Sequence, residues 1–154
     1  MSEELRLESS GPDETRSIGE RLGGLLDAGD VVLLQGELGA GKTTFVQGIA
    51  RGLGFSGSVS SKSFVLLGEY AGRVKLYHAD LYRLDDPDQV LDLALEEIAA
   101  DGVLVVEWPE RAEGALPEDH MLVRFEVIDE DRRALRFEGY GERASRIVAG
   151  MRDG

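Results

Sequence analysis

Residues 31–44 read VVLLQGELGAGKTT. Val31 to Leu34 is an unbroken apolar run, the pattern expected of a strand buried on both faces. Just beyond it Gly36, Gly39, Ala40 and Gly41 strip the chain of side-chain bulk, and Lys42, Thr43 and Thr44 follow at once. Thr43 to Arg51 then places Phe45, Val46, Ile49 and Ala50 at helical spacing. Gly52-Leu53-Gly54 is a helix stop. The segment therefore reads as buried strand, small-residue loop and helix.

Gly36-x-x-x-x-Gly41-Lys42-Thr43 is the phosphate-loop (P-loop) pattern, here with the strand before it and the helix after it that the pattern requires. Small residues let successive backbone N–H groups turn inward around a phosphate. The helix beginning near Lys42 adds the positive end of its dipole. Lys42 would reach the β- and γ-phosphates as a point charge, and the Thr43 hydroxyl would bind Mg²⁺. Gly36, Glu37, Leu38, Gly39, Ala40, Gly41, Lys42, Thr43 and Thr44 are thus the candidate nucleotide contacts. The bland alternative is a glycine-rich turn that binds nothing. It would have to explain why strand, spacing, Lys-Thr and helix all agree, and why one of only three lysines stands here.

Working outward, Leu5 and Leu7 alternate with charged residues and suggest an edge strand. Ser10-Gly11-Pro12-Asp13-Glu14 looks like a capped helix start, with Ile18, Leu22, Leu25 and Leu26 as its apolar stripe up to Ala28-Gly29-Asp30. Residues 55–62 are small and polar, a loop. Ser63 to Tyr70 and Val74 to Ala79 read as a hairpin turning at Ala71-Gly72-Arg73. Asp86-Pro87-Asp88-Gln89 opens another helix, with Leu91, Leu95 and Ile98 inward. Val103 to Val106 is a second wholly apolar strand, ended by Glu107-Trp108-Pro109. Met121 to Asp129 and Ala134 to Tyr140 form an antiparallel hairpin, and a short C-terminal helix closes the chain. The expectation is one α/β P-loop domain over residues 1–154: a mixed sheet with a parallel core, an antiparallel C-terminal hairpin, and helices on both faces.

The chain has 154 residues, room for one compact domain. Seventeen Lys and Arg stand against 30 Asp and Glu, a net charge of −13, and that average field repels nucleic acid. With no cysteine there is no disulfide framework and no thiolate zinc site. The N-terminus MSEELRLESS is neither signal nor transit peptide, and no stretch approaches membrane-spanning length. A cytoplasmic protein is the default expectation.

A P-loop needs groups that hold the metal and position water, and these usually stand at the carboxyl ends of neighbouring strands. Asp80 ends one strand and Glu107 another. Either could hold Mg²⁺, directly or through water, while the other orients the attacking water; the plainer readings are a turn cap and a surface acid. With Lys42 these two are the candidate catalytic residues, and with Thr43 the candidate metal ligands. Trp108, the only tryptophan, is either core or an exposed partner contact. His78 reads as a core or cross-strand histidine rather than a proton carrier, and His120 as a loop residue. Ser58 to Ser63 lies where many P-loop proteins keep a switch segment, and its hydroxyls could sense a γ-phosphate.

The sequence contains no asparagine, so the Asn-Lys-x-Asp guanine reader is missing, and no Ser-Gly-Gly signature of transporter ATPases occurs. A small-molecule kinase is the alternative, with little chain left for an acceptor site. An ATP-sensing binding module that never turns over usefully is a third reading.

Taken together, LLQGELGAGKTTFVQGIARGLG, SKSFVLLGEY, LYHADLYRL and VLVVEWPER resemble the TsaE (YjeE) family, the small ATPase of bacterial tRNA threonylcarbamoyladenosine biosynthesis. The resemblance runs from about residue 12 to residue 111. It implies a single α/β P-loop domain that binds ATP and Mg²⁺ through Gly36 to Thr43. It places the family's functional aspartate on Asp80, its acidic strand-end residue on Glu107 and its tryptophan on Trp108. It implies weak ATPase activity alone and a partner, the TsaB–TsaD pair, which modifies adenosine 37 of tRNAs reading codons that begin with A. The tRNA would then be met only through that pair, consistent with the acidic charge. Where the family has Ser-Pro-Thr-Phe in the switch-like loop, this chain has Ser61-Lys62-Ser63-Phe64. Ser63 keeps a hydroxyl, while Lys62 removes a fixed φ and adds a charge.

Overall fold

The computed structural model describes residues 2–37, 39–55, 67–81, 97, 99–112 and 116–153. Seven strands form one sheet: β1 (Ser2–Ser9), β2 (Val31–Gln35), β3 (Leu67–Tyr70), β4 (Lys75–Asp80), β5 (Gly102–Glu107), β6 (His120–Val127) and β7 (Arg133–Tyr140). Their order is β1-β7-β6-β2-β5-β4-β3. The four central strands β6, β2, β5 and β4 are parallel. The flanks are antiparallel: β6 with β7, β7 with β1, and β4 with β3. The parallel core and the C-terminal hairpin are those expected from the apolar runs and the alternating segments. The N-terminal edge strand is also present, with all eight of its residues in register against β7.

Numbered among the described residues, the helices are α1 (Pro12–Leu25), α2 (Lys42–Gly52) and α3 (Glu142–Asp153). Side chains alternate across the sheet, so each strand feeds two cores. Val32, Leu34, Val103, Val105, Met121 and Val123 face the helices α1, α2 and α3 in the larger core. Leu33, Leu104, Val106, Tyr77, Ala79 and Leu81 form a smaller one on the opposite face. Phe45 of α2 is fully buried and meets Phe125 edge-on, with ring centroids 5.3 Å apart. Such an aromatic pair adds about 0.5–1.5 kcal/mol beyond its burial. Helices flank both faces. The helix expected from Asp86, the loop containing Ser61 and Ser63, and Leu38 lie outside the described residues.

Three local readings need correction. His120 is not a loop residue but opens β6, paired in register with Tyr140. Pro12 opens α1, but Gly11 is the cap residue and supplies no side-chain bond. Ser10 instead bonds Glu14, through its N–H at 3.3 Å and its hydroxyl at 3.2 Å. Ser9, buried, shares a 2.6 Å hydroxyl contact with Thr15. Leu25 does not join the apolar stripe and is exposed, because α1 ends there. Leu26, extended just past the helix end, takes the buried place.

The contact between α1 and α2 rests on glycine. Gly19 and Gly23 lie one turn apart on α1, and Gly48 and Gly52 one turn apart on α2. A Cβ on any of the four would run into a backbone carbonyl oxygen of the facing helix: Phe45, Ile49, Arg16 and Glu20 respectively. The two backbones therefore touch, and α2 has one seat over the sheet. That seat puts its N-terminus at the carboxyl end of β2.

Candidate functional site

The loop after β2 turns through two left-handed glycines, Gly39 at φ 82° and Gly41 at φ 104°. Side-chain-bearing residues rarely adopt such angles, which is the conformational reason for glycine at both places. Gly41 is the cap residue of α2, and its carbonyl accepts from the Phe45 N–H at 3.0 Å. Ala40 is fully buried and its N–H donates to the Glu37 carbonyl at 3.1 Å, which curls the loop. Glu37 and Gly39 are exposed, Thr43 and Thr44 half-buried.

Lys42 is 4 % exposed. Its ammonium donates to the Gly36 carbonyl at 2.6 Å and lies 3.8 Å from the centre of the Trp108 ring. Burial holds its pKa below the ordinary lysine value, and the carboxylates of Glu107, Glu110 and Asp80 pull the other way. A desolvated cation facing three acids, in a loop shaped for phosphate, is a charge held ready for an anion.

The two strand-end carboxylates meet. Asp80 and Glu107 are register partners at the carboxyl ends of the adjacent parallel strands β4 and β5. They are 7 % and 3 % exposed. That burial rules out a surface acid at Glu107. The backbone around them is fixed too: the Leu81 N–H donates to the Glu107 carbonyl at 3.1 Å, and the Trp108 N–H to the Leu34 carbonyl at 3.3 Å. Trp108 has φ 61°, the one left-handed non-glycine residue among those described. Holding a bulky residue there costs of order 1–3 kcal/mol, and such strain gathers at functional sites. The turn it makes lays the half-buried indole over Lys42, so Trp108 is neither simple core nor a fully exposed contact.

Three features went unread in the sequence. His78 is buried and its Nε2–H donates to Glu107 Oε2 at 2.6 Å, so it is the cross-strand histidine expected, but its partner is a site carboxylate. Glu110 belongs to the field around Lys42 and accepts from the Gln35 amide at 3.4 Å. Beside the loop lies a groove of about 220 Å³ lined by Gly11, Thr15, Gly41, Thr44 and Arg133, and Arg133 also donates to the Gly39 carbonyl at 3.4 Å. Only the Glu-Trp-Pro-Glu run hinted at the second of these. The other two join residues far apart in the chain.

The donor set of Thr43, Asp80 and Glu107 is all oxygen, the hard set that suits Mg²⁺. Among the described residues no cluster of three or more His, Cys, Asp or Glu could hold a metal alone. This fits an ion that arrives with phosphate oxygens as further ligands.

Similarity to known proteins gives the family. The family model for threonylcarbamoyl adenosine biosynthesis protein TsaE matches residues 9–135. The tRNA threonylcarbamoyladenosine biosynthesis protein TsaE of Treponema pallidum is 40 % identical over 132 residues, 85 % of this chain and 98 % of that protein. Its counterpart in Bacillus subtilis is 37 % identical over 142 residues, 91 % of this chain and 89 % of that one. The crystal structure of Bacillus subtilis YdiB superposes with a TM-score of 0.82 at 32 % identity, covering 99 % of this chain and 97 % of that one. A buried lysine in a phosphate loop, two strand-end carboxylates and these likenesses lead to one conclusion: the chain belongs to the TsaE family.

Proposed function

We propose that residues 1–154 act as a single P-loop ATPase domain that hydrolyses Mg-ATP to reset a TsaB–TsaD heterodimer between rounds of threonylcarbamoyl transfer. The acceptor is adenosine 37 of tRNAs that read codons beginning with A. A TsaE-family protein is an ATP hydrolase working with Mg²⁺. The observation that carries the reading is the place of Lys42, buried between the Gly36 carbonyl and the Trp108 ring and faced by Asp80 and Glu107.

The mechanism follows from charge and position. The phosphates lie against the backbone N–H groups of residues 36–44 and the N-terminus of α2. Lys42 exchanges the Gly36 carbonyl for β- and γ-phosphate oxygens, where a desolvated cation acts most strongly on developing charge. Thr43, Asp80 and Glu107 would hold Mg²⁺, which supplies charge neutralisation on the phosphate oxygens when bound. Asp80 and Glu107 divide two tasks, holding the ion and orienting the attacking water. The groove at Thr15, Thr44 and Arg133 takes the nucleoside end of ATP.

Trp108 is the point at which a partner senses the loop, a reading supported by its half-buried ring lying over Lys42. Ser61 and Ser63 are assigned to a switch segment that reads the γ-phosphate. The tRNA is reached through the partner pair, since a net charge of −13 repels it. We place the protein in the cytoplasm; no described helix is long and apolar enough to cross a membrane.

Phosphate release from Mg-ATP, measured alone and with the cognate TsaB–TsaD pair, tests this function. Slow release alone and clear stimulation by the pair are expected. Binding of ATP without stimulation would remove the shared cycle.

A further inference from the structure

The buried hydrogen bond between His78 and Glu107 calls for a reason. Along the face of the sheet that meets α2, the residues of β4 and β5 are Leu76, His78 and Asp80, and Val103, Val105 and Glu107. His78 is register partner to Val105 and reaches diagonally to Glu107, two residues further along β5. Both side chains are 4 % exposed. The neighbours Leu34, Val105 and Val123 show what packing alone selects at this level of the sheet. Replacing a buried polar pair by apolar residues is often neutral or stabilising, so stability does not account for an imidazole here. The backbone of Glu107 is already tied to Leu81, and what remains adjustable is its side chain.

We propose that His78 is the positioning residue for Glu107, a role that rests on the reading of Glu107 given above. The imidazole commits Oε2 to the protein at 2.6 Å and so restricts how the carboxylate can turn at the end of β5. Without that bond the carboxylate loses one of its fixed points, and the site loses part of its prearrangement. Hydrogen-bond partners of metal-binding carboxylates act in this way, and losing one typically costs 10–100-fold in metal affinity or activity.

The test compares His78→Ala, His78→Gln and Glu107→Gln with the parent chain. ADP affinity is measured by calorimetry with and without Mg²⁺, kcat and KM with Mg-ATP, and thermal unfolding serves as the control for folding. His78→Ala is expected to keep its Mg²⁺-free ADP affinity, which belongs to the loop and Lys42. It should lose about 10–100-fold in the Mg²⁺-dependent gain in affinity and in kcat, with KM moving less. His78→Gln, whose amide can donate to the same oxygen, should recover most of both. The proposal is overturned if His78→Ala keeps the Mg²⁺ gain and kcat. It is overturned as well if His78→Gln does no better than His78→Ala. A Glu107→Gln chain that retains the whole Mg²⁺ gain and full turnover overturns the reading of Glu107, and this proposal with it. Loss in Glu107→Gln but not in His78→Ala leaves the reading standing and removes only the histidine's role.

Discussion

The two ends of the central strands β2 and β5 differ in kind. The amino ends open on a cavity of about 510 Å³, lined by Gly29, Val31, Ala100, Leu116, Pro117, Glu118 and Asp119. Beside the loop at the carboxyl ends lies the smaller groove of about 220 Å³. The chemistry nonetheless gathers at this end, beside the groove rather than in its lining: a buried lysine, two buried carboxylates in register, a strained tryptophan and a helix N-terminus. The larger one has acids at its rim and no buried titratable side chain in its lining. Parallel strands explain the asymmetry. They bring all their carboxyl ends to one edge, and the helix that follows β2 points its positive end there. Direction, not volume, makes the site.

The largest effect should come from the carboxyl end itself. Lys42→Ala should abolish tight ATP binding and lower turnover by roughly 10²–10³-fold, the usual cost of deleting a transition-state donor. Calorimetry and phosphate release would measure it, and a variant that turns over normally would erase the contrast between the ends. Next comes Glu107→Gln, expected to bind Mg-ADP with a smaller Mg²⁺ gain while losing about 10²-fold in turnover, the lower end of what a positioned acid or base contributes. A fall in Mg²⁺-free binding as large as the fall in kcat would place Glu107 in the loop's architecture instead.

The seam that seats α2 should respond in stability. Gly48→Ala would press a methyl into the Arg16 carbonyl of α1. Overpacking of this kind costs about 1–3 kcal/mol. For a chain of this length each kcal/mol lowers the melting temperature by about 2–4 °C. An unchanged melting temperature would mean that the two helices slide freely, and that the loop is not seated by them.

A subtler test uses the depressed pKa of Lys42. Between that lowered value and the ordinary 10.5, the unfolded chain holds a proton that the native chain lacks, so this group makes stability rise with pH through the window. Bound phosphates reverse the preference. Calorimetry of ADP binding in that alkaline window, in two buffers of different ionisation enthalpy, should show net proton uptake; none would mean that phosphate does not meet this ammonium. The smallest effect belongs to the amino end. Glu118→Ala should leave turnover within about twofold of the parent, as surface changes away from special features shift energies by about 0.5 kcal/mol or less. A large loss there would give the 510 Å³ cavity a role that the comparison denies it.

Much of the site was legible because it is local. The loop, its glycines, Lys42 and Thr43 sit in one short window, with strand and helix on either side declaring themselves by periodicity. Asp80 and Glu107 were legible as strand ends, Glu107 after the apolar run 103–106 and Asp80 after the second strand of the hairpin read over 63–79. The bond from His78 to Glu107 was not, because 29 residues separate them and only the register of β4 on β5 joins them. Leu25 misled for a local reason: helical spacing marked it as core, and the early end of α1 left it outside. The glycine pairs of α1 and α2 went unread, because four-residue spacing alone does not say which helix lies opposite.

The sequence by itself determined the strands, the phosphate loop and the helix that begins at its end, because each is decided by residues within a few positions of one another. The tertiary structure decided that β5 lies between β2 and β4, that Trp108 folds over Lys42 and that His78 faces Glu107. These are pairings between distant segments, selected by how two apolar faces of one sheet are jointly buried, and no short stretch of the chain contains that information.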